Sequence, residues 1–291
     1  MSVRAGVLRL AILQVLVYIC LYFATVFVLG PLLFWLGGYV VGITTSGLLA
    51  AAVANGLCLR IYLQRGMAAI GLPGGAASLR NFAWGCLGGL GAASAVLVPA
   101  LLLGAARLEP DPEFRFSAAS FLFVSLLLLF GSAGEELLFR GFGFQVLLRT
   151  FGTWTTVVPV GVIFALLHAN NPHATWLGLA NTAGFGILFG YAFVRTHDIW
   201  LPMGLHFGWN FTLPLLGENV SGLTMRLTGF AMRWSAGALW SGGDYGPEAS
   251  ILTSAVLILL FLYLWKAPVR RQSSVLVDPS ASDVKCAPGL P

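Results

Sequence analysis

The sequence predicts an all-α fold, a polytopic membrane helical bundle of about eight transmembrane helices, and three observations carry that prediction. The 291 residues are 58% apolar and only 9% charged, against about 45–50% and about 25% in soluble domains. So few charges cannot cover the surface of a water-soluble protein of this size. Apolar runs near the length of about 20 residues needed to cross a bilayer as a helix recur along the chain, far longer than the short alternating strands of a membrane barrel. Finally, the basic residues fall in alternate connections.

Eight spans follow in order: Val7–Phe34, Tyr39–Ile61, Phe82–Ala106, Ala118–Leu148, Thr155–Ala169, Trp176–Val194, Ile199–Leu216 and Ser250–Trp265. The start, Met1 to Arg9, is basic and precedes a run too long for a signal-peptide core, so it reads as a retained first span. If the spans alternate, Arg4, Arg9, Arg60, Arg65, Arg80, Arg149, Arg195, Lys266, Arg270 and Arg271 share one side. The other receives Arg107, Arg115, Arg226 and Arg233 together with six carboxylates. The positive-inside rule then puts both termini in the cytoplasm. The net charge of +5 is explained by this segregation, and no nucleic-acid partner is expected; the lipid bilayer is.

Of the connections, Arg65 to Arg80 is a glycine-rich cytoplasmic turn without a phosphate-loop pattern. Gly217 to Ala249 is a long outward loop whose Trp234 and Trp240 suit the membrane interface. Within it, Asp244 to Glu248 reads as a turn. The organisation expected is one transmembrane domain, 1–265, and a Ser- and Pro-rich disordered cytoplasmic tail, 266–291. Cys20, Cys58, Cys86 and Cys286 have no CxxC spacing and suggest neither disulfides nor a metal knuckle. No internal repeat of the transporter kind is present.

Ionisable residues inside spans are costly and face a cavity or a partner. Here they form three groups. In Gly134-Glu135-Glu136-Leu137-Leu138-Phe139-Arg140, Glu136 and Arg140 are i, i+4 and can neutralise each other. Glu135 then points about 100° away, as a free carboxylate of the kind that serves as a general base. The second group, Phe164 to His168, ends on a lone histidine. In the third, His206 and Asn210 are i, i+4, and Gly204 and Gly208 form a small-xxx-small step that admits a close neighbour. Glu135 lies 13 residues before Leu148 and His168 lies 14 after Trp154, so both stand about 20 Å along their helices from the shared turn. His206 meets them only if the seventh span is offset or tilted. Taken singly, each group also fits an ion pair or helix-bridging hydrogen bonds. His173 and His197 read as ordinary loop residues.

GEELLFR, FALLH and HFGWN, in that order on separate apolar helices, resemble the three motifs of the CPBP intramembrane protease family, EExxxR, FxxxH and HxxxN. That family includes type II CaaX prenyl proteases and bacterial Abi proteins. The motifs lie within residues 132–210, and NNP after His168 and LPMGLHFGWN are similar to the bacterial branch. The resemblance implies hydrolysis of a peptide bond in a membrane-associated peptide or lipidated protein, in a bacterial-type cytoplasmic (inner) membrane. It implies Glu135 as the base that activates water with His168 assisting, His206 and Asn210 at the scissile carbonyl, and Glu136, Arg140 and Phe164 in support. A metal mechanism competes, in which Glu135, His168 and His206 hold Zn²⁺ with a position left for water; no HExxH pair favours it. A transport-type protein and a non-catalytic scaffold are the alternatives from other classes. The substrate, and whether it is prenylated, is not encoded in any determinant found here.

Overall fold

The computed structural model describes residues 3–278. Its elements are α1 (Val3–Tyr62), α2 (Ala76–Leu102), β1 (Ala106–Pro110), α3 (Ala118–Arg140), α4 (Phe142–Phe151), α5 (Trp154–Leu167), α6 (Trp176–Thr196), α7 (Trp200–Leu215), β2 (Phe230–Trp234), α8 (Ala238–Ser241) and α9 (Ile251–Lys266). The molecule is nearly all-α. Each of the eight expected spans carries a helix, because α1 breaks at Gly38, where φ is 71°, into two legs, and α4 continues α3. Among the described residues four helical stretches, 5–62, 76–102, 118–151 and 176–196, are long and apolar enough to cross a bilayer. With 14, 16 and 16 residues, α5, α7 and α9 fall short of a full crossing. Large apolar side chains cover the outside, among them Phe27, 82% exposed, and Trp176, 89% exposed, as a lipid-facing surface requires.

The α2–α7 seam positions the site. Gly85 and Gly89 on α2 meet Gly204 and Gly208 on α7 so closely that a Cβ at Gly89 would lie 2.2 Å from the Leu205 carbonyl oxygen, and one at Gly208 2.4 Å from that of Cys86. The small-residue step of the sequence thus brings α2 against α7, backbone to backbone.

Three features differ from the sequence reading. The fourth span is not one helix: it stops at Gly141, whose backbone is extended. The carbonyls this break frees are taken by side chains, two of them remote in sequence. Leu137 O accepts from Tyr18 Oη and Asn55 Nδ2, both at 3.0 Å, and Arg140 O accepts from Gln145 Nε2 at 2.8 Å. Asn55 Oδ1 also accepts from the Phe142 N–H at 2.7 Å, so the break costs few unsatisfied groups. The long outward loop contains β2, which pairs antiparallel with β1 from Ala106↔Trp234 to Pro110↔Phe230.

The tail is the third difference. Expected to be disordered over 266–291, it packs on the bundle over 267–278. Gln272 N donates to Thr196 O at 2.7 Å and Val275 N to Ala69 O at 2.9 Å, while Ser274 is fully buried. Its backbone donors find partners on two connections, which low hydropathy alone does not reveal. The remainder, with Cys286, lies outside the described residues; Cys20, Cys58 and Cys86 are free thiols.

These contacts also sort the ends of the bundle. β1 and β2, the α5–α6 connection (Asn171 Nδ2 to Ser221 O, 3.1 Å) and the 216–250 loop share one end. The tail and the bond from Ile199 N to Gly71 O (2.8 Å) mark the other, and the connections and helix ends there carry Arg65, Arg80, Arg195, Arg270 and Arg271.

Candidate active site

Glu135, Glu136 and Arg140 stand on the last two turns of α3, just before the Gly141 break. Glu136 and Arg140 have no exposed side-chain surface, and the guanidinium lies 3.1 Å from the carboxylate. Arg140 also donates to the Gly186 carbonyl at 2.7 Å and sits 5.4–5.7 Å from the ring centres of Phe139, Phe164 and Phe189. A buried ion is tolerable only with such pairing and hydrogen bonding.

Glu136 has a second partner that helical spacing does not show. His206 Nδ1 lies 2.9 Å from Glu136 Oε1. A carboxylate held against a guanidinium only accepts, so Nδ1 carries the proton and donates. The ring stacks on Phe189 at 4.9 Å and meets the edge of Phe164 at 6.1 Å. Its other nitrogen, Nε2, lies 3.9 Å from Glu135 Oε2, too far for a direct hydrogen bond. Among the described residues Glu135 Oε2 itself has no hydrogen-bond partner.

His168 is the residue that caps the end of α5. Its Nδ1 donates to Phe164 O at 2.8 Å, since a carbonyl only accepts. In the neutral ring this leaves Nε2 as an acceptor. Phe164 thus fixes His168 through its carbonyl and packs His206 and Arg140 with its ring.

Glu135, His168, His206 and Asn210 all line one cavity of about 300 Å³. Glu136 does not line it and stands behind His206. The offset of the seventh span that the sequence left open is met by the α2–α7 seam, which seats α7 so that His206 reaches the level of Glu135. His173, exposed, and His197, buried beside Asp278, lie outside the cavity.

The cavity is lined as far as Tyr39, Asn171, Ser221 and Met225. Those residues belong to the end with the 216–250 loop. Glu248 is the residue the sequence reading passed over as part of a turn. It is 6% exposed, lines the same cavity and accepts from Trp209 Nε1 at 3.1 Å, from Ser221 Oγ at 2.8 Å and from the Ser221 backbone N–H. A carboxylate just ahead of the last span was the only signal of it.

Among the described residues no group of three His, Cys, Asp or Glu side chains is gathered so as to hold a metal ion. The set Glu135, His168 and His206 therefore does not fit a zinc site as it stands.

Residues 117–212 match the family model described as Rce1-like, type II CAAX prenyl endopeptidase Rce1-like. No curated protein and no solved structure gives a match.

Proposed function

We propose that this chain, an integral membrane protein whose residues 117–212 match the Rce1-like type II CAAX prenyl endopeptidase family model, hydrolyses a peptide bond with water activated by Glu135. The observation that carries the reading is His206 standing between two glutamates. One anchors its Nδ1 at 2.9 Å, and the other presents a carboxylate 3.9 Å from its Nε2 across the cavity wall.

In the step proposed, water between Glu135 and the scissile carbonyl gives a proton to the carboxylate as its oxygen attacks the carbonyl carbon. The oxyanion that forms meets the Asn210 amide and His206. With a proton on each nitrogen, His206 donates to Glu136 through Nδ1 and to the oxyanion through Nε2. Collapse of the intermediate breaks the C–N bond. The proton from Glu135 passes to the leaving amine, with the acceptor nitrogen of His168 as the relay. Glu136 and Arg140 hold His206 and α3, and Phe164 holds both imidazoles. The substrate is a membrane-associated peptide or lipidated protein. The segregated basic residues favour both termini in the cytoplasm, and the bacterial-type inner membrane is the proposed location.

The test is cleavage of candidate membrane peptides by the purified chain in nanodiscs, with Glu135→Gln beside it. General-base removal is expected to cost about 10²–10⁴-fold in rate without changing thermal unfolding. Unchanged cleavage by the variant would defeat the reading.

A further inference from the structure

Gln272 and Ser274 belong to the tail segment packed on the end of the bundle opposite the 216–250 loop, and each reaches the base of a helix that carries the site. Ser274, fully buried, donates its hydroxyl proton to Gln145 Oε1. Gln145 is fully buried as well, and its Nε2 donates to Ile70 O and Arg140 O, both at 2.8 Å. Arg140 is the last residue of α3, and its side chain holds Glu136, which holds His206. Gln272 acts on α7. Its Nε2 donates to Asp198 Oδ2 at 3.2 Å, and Asp198 Oδ1 accepts the Leu201 N–H at 3.1 Å. That N–H is one of the donors that the first turn of a helix leaves without an internal partner.

Two neighbouring tail residues thus fasten the end of α3 and the start of α7, and they do so from outside the cavity, since none of residues 267–278 lines it. Glu135 stands five residues before Arg140, and His206 stands five after Leu201. Each is therefore about 8 Å along its helix from the fastened end. Over so short a rigid element a shift at the end becomes a shift at the reacting group. A misplacement of about 1 Å there can cost about 10²-fold in rate. Without Ser274, Gln145 Oε1 has no donor among the described residues and stays buried. That state is costly, and a shift of α4 against α3 relieves it.

We propose that Gln272 and Ser274 are positioning residues of the hydrolase: the docked tail fixes α7 against α3 and so holds Glu135 and His206 at their working separation. The proposal rests on the protease reading of the site and adds to it a segment of chain far from the three motifs. The tail sets turnover and leaves substrate binding alone.

The experiment measures kcat and KM per folded molecule, in nanodiscs, for a membrane peptide that the parent cleaves. The variants are Gln272→Ala, Ser274→Ala, Gln145→Ala and the pair Gln145→Ala with Ser274→Ala; Ser273→Ala, at an exposed neighbour, is the control. Gln272→Ala and Ser274→Ala are each expected to lower kcat about tenfold with KM held within about twofold, and the control to change neither. Ser274→Ala is expected to add nothing once Gln145 is alanine, because the two act along one path. Parental kcat in both tail variants, a loss carried by KM, or additive losses in the pair would overturn the proposal. If Ser274→Ala does not fold, Gln272→Ala decides alone, because Asp198 keeps the Asn81 Nδ2 donor at 2.7 Å. Cleavage by the parent at a rate the tail variants share leaves the hydrolase standing and removes the tail's role. If the parent cleaves nothing, the hydrolase reading falls, and amide hydrogen exchange at 135–140 and 201–206 decides the tail. Faster exchange in the tail variants keeps it as the fastening of both helices, and unchanged exchange removes it too.

Discussion

Glu136 Oε1 lies 2.9 Å from His206 Nδ1, joining two helices across 70 positions of sequence. The same carboxylate lies 3.1 Å from Arg140. One buried anion therefore holds a cation on its own helix and an imidazole on another, so the adjacent glutamates have separate work. Glu136 fixes the ring, while Glu135 lines the cavity and its Oε2 has no hydrogen-bond partner among the described residues.

Glu136→Gln is expected to lower stability by about 3–5 kcal/mol, because it leaves the buried Arg140 without its counter-ion. Glu135→Gln, at a side chain 39% exposed, is expected to leave unfolding unchanged. Thermal unfolding in detergent compares them, and equal midpoints for Glu136→Gln and the parent contradict the shared-anion role.

Gly208→Ala puts a methyl 2.4 Å from the Cys86 carbonyl oxygen, where backbone must move to admit it. We expect a loss of about 1–3 kcal/mol, as overpacking costs, together with slower cleavage, because α7 carries His206 and Asn210. Gly91→Ala on α2, where a Cβ meets nothing within 4 Å, is the control and is expected to be neutral. Full activity and stability in Gly208→Ala would mean that the seam does not position the site.

Burial pushes the Glu218 carboxyl from 4.5 up to about 7, against the hydrogen bond it accepts from Trp234. The folded chain thus holds that proton more tightly than the unfolded chain does. The group's contribution is fully present below about pH 4.5 and is lost as pH rises through about 7. Between those limits the parent is expected to lose up to about 3 kcal/mol relative to Glu218→Gln, which does not ionise. Chemical unfolding across this window checks it, and parallel profiles for the two proteins contradict it.

Treatment with a strong zinc chelator is expected to leave cleavage unchanged, since the described residues gather no three-ligand group. Activity lost to the chelator and restored by Zn²⁺ would require Glu135, His168 and His206 to close together in the working enzyme.

The spans were legible because hydropathy and charge segregation act along the chain, one helix at a time. The Glu136–Arg140 pair and the Gly204–Gly208 step were legible because i, i+4 spacing is local geometry. What stayed hidden depends on partners far apart in sequence. The break at Gly141 is stabilised by Tyr18 and Asn55. The β1–β2 pair joins connections more than a hundred residues apart, and the tail docks on Ala69 and Thr196. Glu248 escaped notice for a related reason: a carboxylate in a loop reads as solvated until Trp209 and Ser221 are seen around it.

The measurement closest to the central claim is single-turnover cleavage of a membrane peptide in ¹⁸O-labelled water, by the parent and by Glu135→Gln in nanodiscs. Direct attack by activated water predicts one ¹⁸O in the new carboxylate and a rate lower by about 10²–10⁴-fold in the variant, with thermal unfolding the same in both. Cleavage by Glu135→Gln at the parent's rate would contradict the account.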